Sequence, residues 1–245
     1  FTTPIYAHLP MILAPDKSKL SKRHGATSVT DYRKRGYLPE AIINYLGMLG
    51  FTPPGEREIM NLDELTKVFE LAAVHKAGAV FDIKKLDWLN GEYIHALDTK
   101  RLATILTSFL PAEWGTPDPD YLLKVLPLAR ERMKRLADVE EFSYFFQEPQ
   151  VTSELLQWKE RTTNEIKNAL SEVLVIIERV GVDDSGALRQ ELDALGTQLN
   201  DRGLVYWPLR IALTGAKASP DPVDIAGAIG VSKTTERIRG AHALL

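Results

Sequence analysis

From about Asp98 to the end of the chain, apolar residues recur at the spacing of an α-helix. The clearest example is one continuous apolar face, made of Leu122, Val125, Leu126, Ala129, Met133 and Leu136. Positions three and four residues apart lie on one side of a helix, so this spacing predicts a buried helical face. Pro127 should kink this helix or begin a new one. Because similar stretches continue to Leu245, we expect a mainly α fold.

Length and composition limit the classes of protein that this chain can be. With 245 residues, 44% of them hydrophobic and 26% charged, it is long enough for two or three domains. The formal charge of -3 means that any nucleic-acid contact must come from local basic patches. The absence of cysteine excludes disulfides and thiolate metal sites. No apolar run approaches the roughly 20 residues that span a bilayer, and the start is no signal peptide, so we expect a cytoplasmic protein.

The densest charge cluster lies at residues 17–25, which read KSKLSKRHG. Cations this close repel one another and need either full solvation or an anion. A loop of this kind can bind phosphates through ammonium groups, the Ser21 hydroxyl and backbone amides. A second run, at residues 33–35, adds to the local positive charge. Residue types alone leave a phosphate-binding loop and a solvated basic turn both open.

Several further elements follow from capping and turn residues. Residues 6–13 form a short apolar run that predicts a strand feeding the basic loop. Ser28 or Thr30 should cap a helix that Gly36 stops, and Pro39 should begin the next helix. Residues 83–89 should form a helix that Asp82 caps and that residue 91, a glycine, ends.

Three segments resemble motifs of one enzyme family, in that family's order. Residues 19–26, KLSKRHGA, resemble the nucleotide loop of glutamyl-tRNA synthetases. Residues 81–94, FDIKKLDWLNGEYI, and 208–215, PLRIALTG, resemble later motifs of the same family. The chain, which begins with Phe1 as though cut from something longer, is therefore similar to the carboxy-terminal half of a bacterial-type glutamyl-tRNA synthetase, starting just before the KLSKR loop.

This resemblance implies a particular arrangement of domains. The end of a Rossmann-type catalytic, nucleotide-binding domain, with the KLSKR loop, would occupy residues 1–36. A helical stem-contact domain would follow over residues 37–98. An all-helical anticodon-binding domain would complete the chain in two parts, residues 99–150 and 151–245.

The resemblance also implies an activity and a set of partners. The enzyme would use ATP, with Mg²⁺ accompanying the ATP and no protein-only metal site, to activate L-glutamate and transfer it to tRNA(Glu). We expect a monomer that binds no membrane. This chain shows no amino-acid pocket and no HIGH-type motif, so we expect it to be inactive alone. Three alternatives remain: a stand-alone tRNA-binding module, a helical scaffold that binds protein, and a glutaminyl enzyme. The helical periodicity opposes the last, whose anticodon region in bacteria resembles β-barrels.

The resemblance assigns roles in the phosphate loop residue by residue. Lys19, Ser21 and Lys22 would be the catalytic set, with Ser21 helping to order the loop. Lys19, Lys22 and Arg23 would contact the ATP phosphates. Lys22 would neutralise the charge that builds as glutamate attacks the α-phosphate. His24 is expected to be structural.

Other residues are candidates for tRNA contacts. Arg132 falls at the border of the apolar face, where its stem could pack and its guanidinium could be held to read a base edge. In the family, an arginine that matches Arg132 reads the third anticodon base. The match rests on RERMKRL, and a small shift would substitute Arg130 or Arg135.

The last candidates follow the PLRIALTG motif. Pro208 should open a helix and place Arg210 on its first turn. In the family, positions matching Arg210, Ser219 and Pro220 lie against the anticodon bases, and so does the position matching Trp207. Trp207 departs from the polar residue of some members, so base stacking and core packing both remain open for it.

Overall fold

The computed structural model describes residues 2–21, 23 and 28–245. The described chain folds mainly into α-helices, which confirms the predicted helical class. It divides into two compact units. The amino-terminal unit comprises residues 1–110 and 132–139, and the carboxy-terminal unit comprises residues 111–131 and 140–245. The four-part division expected from the resemblance stays a prediction.

The amino-terminal unit contains five α-helices within the described residues. They are α1 (Val29–Lys34), α2 (Pro39–Met48), α3 (Leu62–Val68), α4 (Ile83–Ala96) and α5 (Thr99–Leu106), with 3-10 turns at Pro54–Glu56, Leu71–Ala73 and Thr107–Phe109. Ser28 caps α1 and Pro39 begins α2, both as predicted. Asp82 caps α4 by accepting hydrogen bonds from the backbone of Lys84 and Lys85. These caps satisfy amide groups that a helix start otherwise leaves unpaired.

The predicted end of α4 at Gly91 is wrong. The helix continues to Ala96, and Gly91 is buried in its interior. A Cβ atom at this position would lie 3.5 Å from the carbonyl oxygen of Met133. This is an ordinary van der Waals distance, so the segment 132–139 packs on the helix at Gly91 with room for a methyl group, and the contact does not require a glycine.

Aromatic residues form much of the core of this unit. The cluster comprises Tyr32, Tyr37, Tyr45, Phe81, Leu86 and Leu89. The rings of Tyr45 and Phe81 meet edge to face, with centroids 5.1 Å apart. The Tyr45 hydroxyl also accepts a 2.7 Å hydrogen bond from the backbone nitrogen of Asp82. This contact fixes the start of α4 against α2.

The strand predicted at residues 6–13 is absent from the described structure. Residues 2–12 are largely exposed, and isolated bridges form at Leu13, to Lys19 and to Val80. The backbone nitrogen of Leu13 donates to the Ala79 oxygen at 2.8 Å. A strand is stabilised by backbone bonds to a neighbouring strand along its length, and here such bonds begin at Ile12, near the end of the predicted strand.

The carboxy-terminal unit is also helical. Its described elements are α6 (Pro119–Arg130), α7 (Ser153–Leu156), α8 (Thr163–Val180), α9 (Ser185–Gln198), α10 (Arg202–Thr214), α11 (Pro222–Ile229) and α12 (Val231–Ala243), with 3-10 turns at Ala112–Trp114 and Leu136–Phe145, the latter beginning in the amino-terminal unit. Helices α8, α9, α10 and α12 pack against one another. No helix in the described part of the chain has the length and apolar character to cross a bilayer.

The apolar face predicted through Leu136 is not one helix. Helix α6 runs through Pro127 but ends at Arg130. The Asp138 carboxylate then accepts hydrogen bonds from the backbone nitrogens of Lys134 and Arg135, at 3.0 and 2.8 Å. This competing bond shapes a turn. Met133 and Leu136 are nevertheless buried, so the apolar pattern located the core correctly but not the helix end.

The predicted start of α10 at Pro208 is also wrong. Asp201 caps the helix by accepting a hydrogen bond from the Leu204 nitrogen, so α10 begins at Arg202. Pro208 lies inside α10 and is buried. Arg210 consequently lies towards the carboxyl end of α10, not on its first turn, and the helix amino terminus gives it no anion site.

Candidate functional site

The described start of the basic loop, at residues 14–18, is a tight turn in which Asp16 accepts hydrogen bonds. The backbone nitrogens of Ala14 and Lys17 donate to the oxygens of Ser18 and Ala14, both at 2.8 Å. The Asp16 carboxylate accepts from the Ser18 nitrogen at 2.9 Å and from its hydroxyl at 2.7 Å. Lys17 adopts a left-handed conformation, with φ of 64°. A lysine seldom adopts this backbone conformation, and the hydrogen bonds that Asp16 accepts stabilise the turn that requires it.

The far side of the loop is anchored to the aromatic core. The Leu20 nitrogen donates to the Ile12 oxygen at 3.1 Å, and the Leu20 side chain packs on the cluster around Tyr32. Ser21 is half-buried, whereas Lys19 and Arg23 are exposed. This arrangement presents cations from a fixed base, as anion binding requires. Lys22 and His24 lie outside the described residues.

The second cation run lies on α1 in the same unit. Arg33, Lys34 and Arg35 are all exposed, while their neighbour Tyr32 is buried in the core. The basic side chains of α1 are therefore available to solvent or to a polyanion. Their position in the last turn also suits the negative end of the helix dipole.

Buried Asn90 connects three parts of the amino-terminal unit. Its side-chain oxygen accepts a 2.8 Å hydrogen bond from the Leu38 nitrogen. Its side-chain nitrogen donates to the Lys134 oxygen at 2.5 Å and to the Gly36 oxygen at 3.4 Å. The Leu136 nitrogen also donates to the Gly36 oxygen, at 3.0 Å. Asn90 therefore fixes the segment that carries two of the candidate arginines.

The three candidate arginines around this segment have different environments. Arg130 is the half-buried last residue of α6. Arg135 is half-buried and pairs with Asp138, its Nε lying 3.0 Å from Oδ1. Burial opposes it, but the Asp138 carboxylate raises the pKa of Arg135 above its ordinary value. Arg132 is exposed in the turn after α6. The expectation that packing holds the Arg132 stem still is therefore wrong, because the helix ends before it.

Arg210 organises the turn between α10 and α11. Its Nη1 donates to the Ser219 carbonyl at 2.7 Å, the Ser219 hydroxyl at 2.6 Å and the Pro220 carbonyl at 3.0 Å. Ser219 and Pro220 are buried. The structure thus brings together three candidates that the sequence placed near one another. In this geometry the arginine holds the turn through three oxygens at once.

The beginning of this turn depends on Gly215. Gly215 has a left-handed φ of 65°, and a Cβ there would lie 2.6 Å from the Gln150 carbonyl oxygen. A side chain is therefore excluded by both conformation and space. Gln150 and the turn are in direct backbone contact.

Trp207 lies in a half-buried aromatic pair. Its Nε1 donates a 3.0 Å hydrogen bond to the Leu155 carbonyl, and its ring centroid is 5.4 Å from that of Trp158. These contacts are the ones expected if Trp207 serves in core packing. Base stacking would use the remaining exposed part of the ring.

Trp158 belongs to a polar network around Asp201. The Asp201 carboxylate accepts hydrogen bonds from the Trp158 indole nitrogen at 3.2 Å and from Arg161 Nη2 at 3.1 Å. Burial alone would raise the pKa of Asp201, but these hydrogen bonds lower it below its ordinary value. The carboxylate that caps α10 is therefore stabilised in its charged form.

Two buried residues that hold distant segments of the chain together, Asn90 and Arg237, were not predicted from the sequence. Asn90 gave no signal beyond its place in the FDIKKLDWLNGEYI motif. Arg237 is 4% exposed, and it lies three residues after buried Thr234 and one before buried Ile238, so helical spacing could have marked it as inward-facing. Within the described residues, no group of three or more His, Asp or Glu side chains is placed to hold a metal ion.

Two family models match the chain in succession. A model described as "tRNA synthetases class I (E and Q), catalytic domain" matches residues 1–88. A model described as "Anticodon binding domain" matches residues 101–242, more than half of the chain. The sequence is therefore similar to part of a class I catalytic domain followed by an anticodon-binding domain.

Curated relatives cover nearly the whole chain. Glutamate–tRNA ligase 2 of Thermoanaerobacter pseudethanolicus is 37% identical over 243 residues, which are 97% of this chain and 51% of the relative. Glutamate–tRNA ligase of Moorella thermoacetica is 37% identical over 246 residues, covering 97% of this chain and 50% of the relative. The chain thus spans about half the length of the curated relatives that it matches.

Solved structures agree with these matches. The glutamate tRNA ligase of Elizabethkingia meningosepticum, solved in complex with its amino acid, superposes with a TM-score of 0.83 at 31% identity, covering 99% of this chain and 52% of that one. The glutamate-tRNA synthetase of Elizabethkingia anophelis gives a TM-score of 0.80 at 29% identity, covering 99% and 52%. The resemblance inferred from three short motifs is confirmed.

Proposed function

Because this chain belongs to the glutamyl-tRNA synthetase family, we propose that it forms the phosphate-loop and tRNA-binding half of a glutamate–tRNA ligase. The observation that carries the proposal is the order of the two family matches, catalytic over residues 1–88 and anticodon-binding over residues 101–242. The exposed cations of the basic loop and α1, in the unit that includes the catalytic match, support phosphate binding there. The names of the relatives and the helical carboxy-terminal unit favour the glutamate enzyme over the glutaminyl one.

The proposed reaction has two steps. This chain would contribute positive charge near the ATP phosphates and contacts that hold the tRNA. The glutamate carboxylate attacks the α-phosphate of ATP, giving glutamyl adenylate and releasing pyrophosphate. A terminal hydroxyl group of tRNA(Glu) then attacks the activated carboxyl group, forming the ester and releasing AMP. Lys19, Lys22 and Arg23 would stabilise negative charge on the phosphates, and Ser21 would order the loop. Mg²⁺ would arrive with ATP and neutralise further phosphate charge. We propose that the 245 residues alone do not activate glutamate, and pyrophosphate exchange by this chain would contradict that.

In this proposal the carboxy-terminal unit and the segment 132–139 recognise the anticodon stem and loop. Arg130, Arg132 or Arg135 would read one base, and the turn around Arg210, Ser219 and Pro220, with Trp207 on the same helix, would contact others. The residues 37–98 would brace the inner corner of the tRNA. Phosphate contacts supply affinity, and base-edge contacts supply discrimination.

Equilibrium binding tests this proposal directly. The chain is titrated with tRNA(Glu) and with the same tRNA carrying one changed anticodon base, at several salt concentrations. We expect tighter binding to the native anticodon and affinity that falls steeply as salt rises. Equal binding of both tRNAs would contradict anticodon recognition, and weak salt dependence would favour a protein-binding scaffold.

The phosphate loop needs a separate test in the full-length enzyme. Lys22→Ala should slow adenylate formation with little change in tRNA affinity, because its charge acts on the transition state. Single-turnover kinetics and tRNA titration measure the two quantities. A monomeric state and a cytoplasmic location complete the proposal, and light scattering and cell fractionation test them.

A further inference from the structure

Arginines outside the turn at residues 215–221 contact its middle, its end and the residue two positions before it. Arg210 holds the middle of the turn through Ser219 and Pro220. Recognition of a base edge requires side chains held within about 0.5 Å of the productive geometry. The surroundings of this turn therefore matter for any discrimination that it provides.

Arg189 of α9 holds the end of the turn. One Asp221 oxygen caps α11 by accepting from the Val223 nitrogen at 2.9 Å. The other lies 2.6 Å from Arg189 Nη1, and Arg189 Nη2 lies 3.2 Å from Asp224 Oδ1. The guanidinium thus bridges two carboxylates at the start of α11, directly after Pro220. A lysine could not reproduce this forked contact.

Arg237 of α12 holds the residues that lead into the turn. Its Nη1 donates to the Leu213 carbonyl at 2.8 Å, in the last turn of α10, where carbonyls lack helical partners. Its Nη2 donates to the Gln147 carbonyl at 3.0 Å, and its Nε lies 3.2 Å from a Glu148 oxygen. The segment that it clamps continues to Gln150, whose carbonyl abuts Gly215.

We infer that Arg189 and Arg237 are positioning residues that set the turn 215–221 for anticodon recognition. The inference rests on the proposed function and adds two residues to it. Arg237 acts from a buried position, so it contributes through the carbonyls that it holds. Arg189 acts through Asp221, the residue next to Pro220. Their loss should change discrimination between anticodons more than overall affinity for tRNA.

The chain offers a matched control for Arg189. Arg179 makes a forked pair with Glu191, at 3.2 and 2.9 Å, between α8 and α9. Arg179→Met and Arg189→Met each remove one positive charge and two guanidinium–carboxylate contacts from the same unit. The two variants should therefore lose similar nonspecific affinity for tRNA. Of the two, only Arg189→Met removes a contact to Asp221, at the end of the turn.

The measurement is the ratio of the affinities for tRNA(Glu) and for variants changed at each anticodon base in turn. The unaltered chain should prefer the native tRNA by about tenfold or more at the base that the turn contacts. Arg189→Met should reduce that ratio about tenfold, Arg189→Lys should give an intermediate ratio, and Arg179→Met should preserve it. Arg237→Lys should also reduce the ratio, because one ammonium cannot bridge the three acceptors.

The possible failures are distinguishable. If the unaltered chain shows no preference at any base, the proposed function fails, and the inference is overturned with it. If the unaltered chain discriminates and Arg189→Met does so equally at every base, the inference alone is overturned. Should Arg237→Lys not fold, as circular dichroism would reveal, the comparison of Arg189→Met with Arg179→Met decides the question.

Discussion

Replacing Asn90 should destabilise the amino-terminal unit far more than an ordinary surface substitution. Asn90→Ala removes the partners of the Leu38 nitrogen and the Lys134 oxygen, bonded at 2.8 and 2.5 Å. The Gly36 oxygen keeps its bond from the Leu136 nitrogen. Leaving a buried polar group unpaired costs roughly 1 to 3 kcal/mol. Two such groups predict a loss of about 4 kcal/mol.

Hydrogen exchange measures this loss within one unit of a two-unit chain, where a single unfolding temperature would be ambiguous. At roughly 1.4 kcal/mol for each factor of ten, the Leu38 and Leu136 amides should exchange about a thousandfold faster in Asn90→Ala if they exchange by opening of the whole unit. Asn164→Ala, at an exposed position in the first turn of α8, is the control and should change stability by about 0.5 kcal/mol or less.

A second substitution separates the two hydrogen bonds. In Asn90→Asp the side chain can still accept from the Leu38 nitrogen, but it no longer donates to the Lys134 oxygen. We expect substantial destabilisation from this loss and from the buried charge. If Asn90→Ala cost less than about 1 kcal/mol, or Asn90→Asp were as stable as the unaltered chain, the argument that Asn90 fixes the segment 132–139 would be refuted.

Three further predictions concern the remaining sites. Arg132→Ala should cost about 1 to 3 kcal/mol of discrimination at one anticodon base in tRNA titrations, whereas equal weakening for all tRNAs would make it a phosphate contact. Gly215→Ala should destabilise its unit by about 2 kcal/mol or more, measured by hydrogen exchange within that unit, because strain adds to a clash with Gln150. Gly55→Ala, with a similar φ and open space, should cost its own unit only the strain of about 1 kcal/mol. Because the pKa of Asp201 is lowered on folding, its contribution is complete above its ordinary value of 3.8 and is lost as pH falls further. Between about pH 5 and 3, the stability of the carboxy-terminal unit, measured by hydrogen exchange of its amides, should therefore depend less on pH in Asp201→Asn than in the unaltered chain.

The sequence predicted helices well where capping residues and apolar spacing agreed. Local sequence predicts Asp82 as a cap and Ser28 as one of two possible caps, because a cap involves neighbours in the chain. Helix ends were predicted poorly where a distant contact decides them. Local sequence predicts a stop at Gly91, but α4 continues past it, and Gly91 packs in ordinary contact against a segment some forty residues away.

The candidate site shows the same division. The motifs located Arg210, Ser219 and Pro220, which contact one another in the structure. The spacing also predicts that Met133 and Leu136 are buried, but it places Arg132 at the border of a helical face, whereas Arg132 lies in the turn after α6. The hydrogen bonds that Asp138 accepts shape this turn, and they do not follow a helical period. The roles of Asn90 and Arg237 depend on carbonyls brought near by tertiary folding, and no local pattern encodes them.

The segment 132–139 has a consequence for synthesis of the chain on the ribosome. This segment belongs to the amino-terminal unit, although residues 111–131 before it belong to the other unit. Chains emerge from the amino terminus at about 5 to 20 residues per second, and domains tend to fold as they emerge. The amino-terminal unit cannot complete its core at residue 110, since Leu136 and the partners of Asn90 emerge later. Its folding must wait while part of the carboxy-terminal unit is already outside the ribosome. A nascent chain stalled with residue 110 just outside the ribosome should therefore be sensitive to protease in this unit, and a chain stalled with residue 139 outside should be protected there.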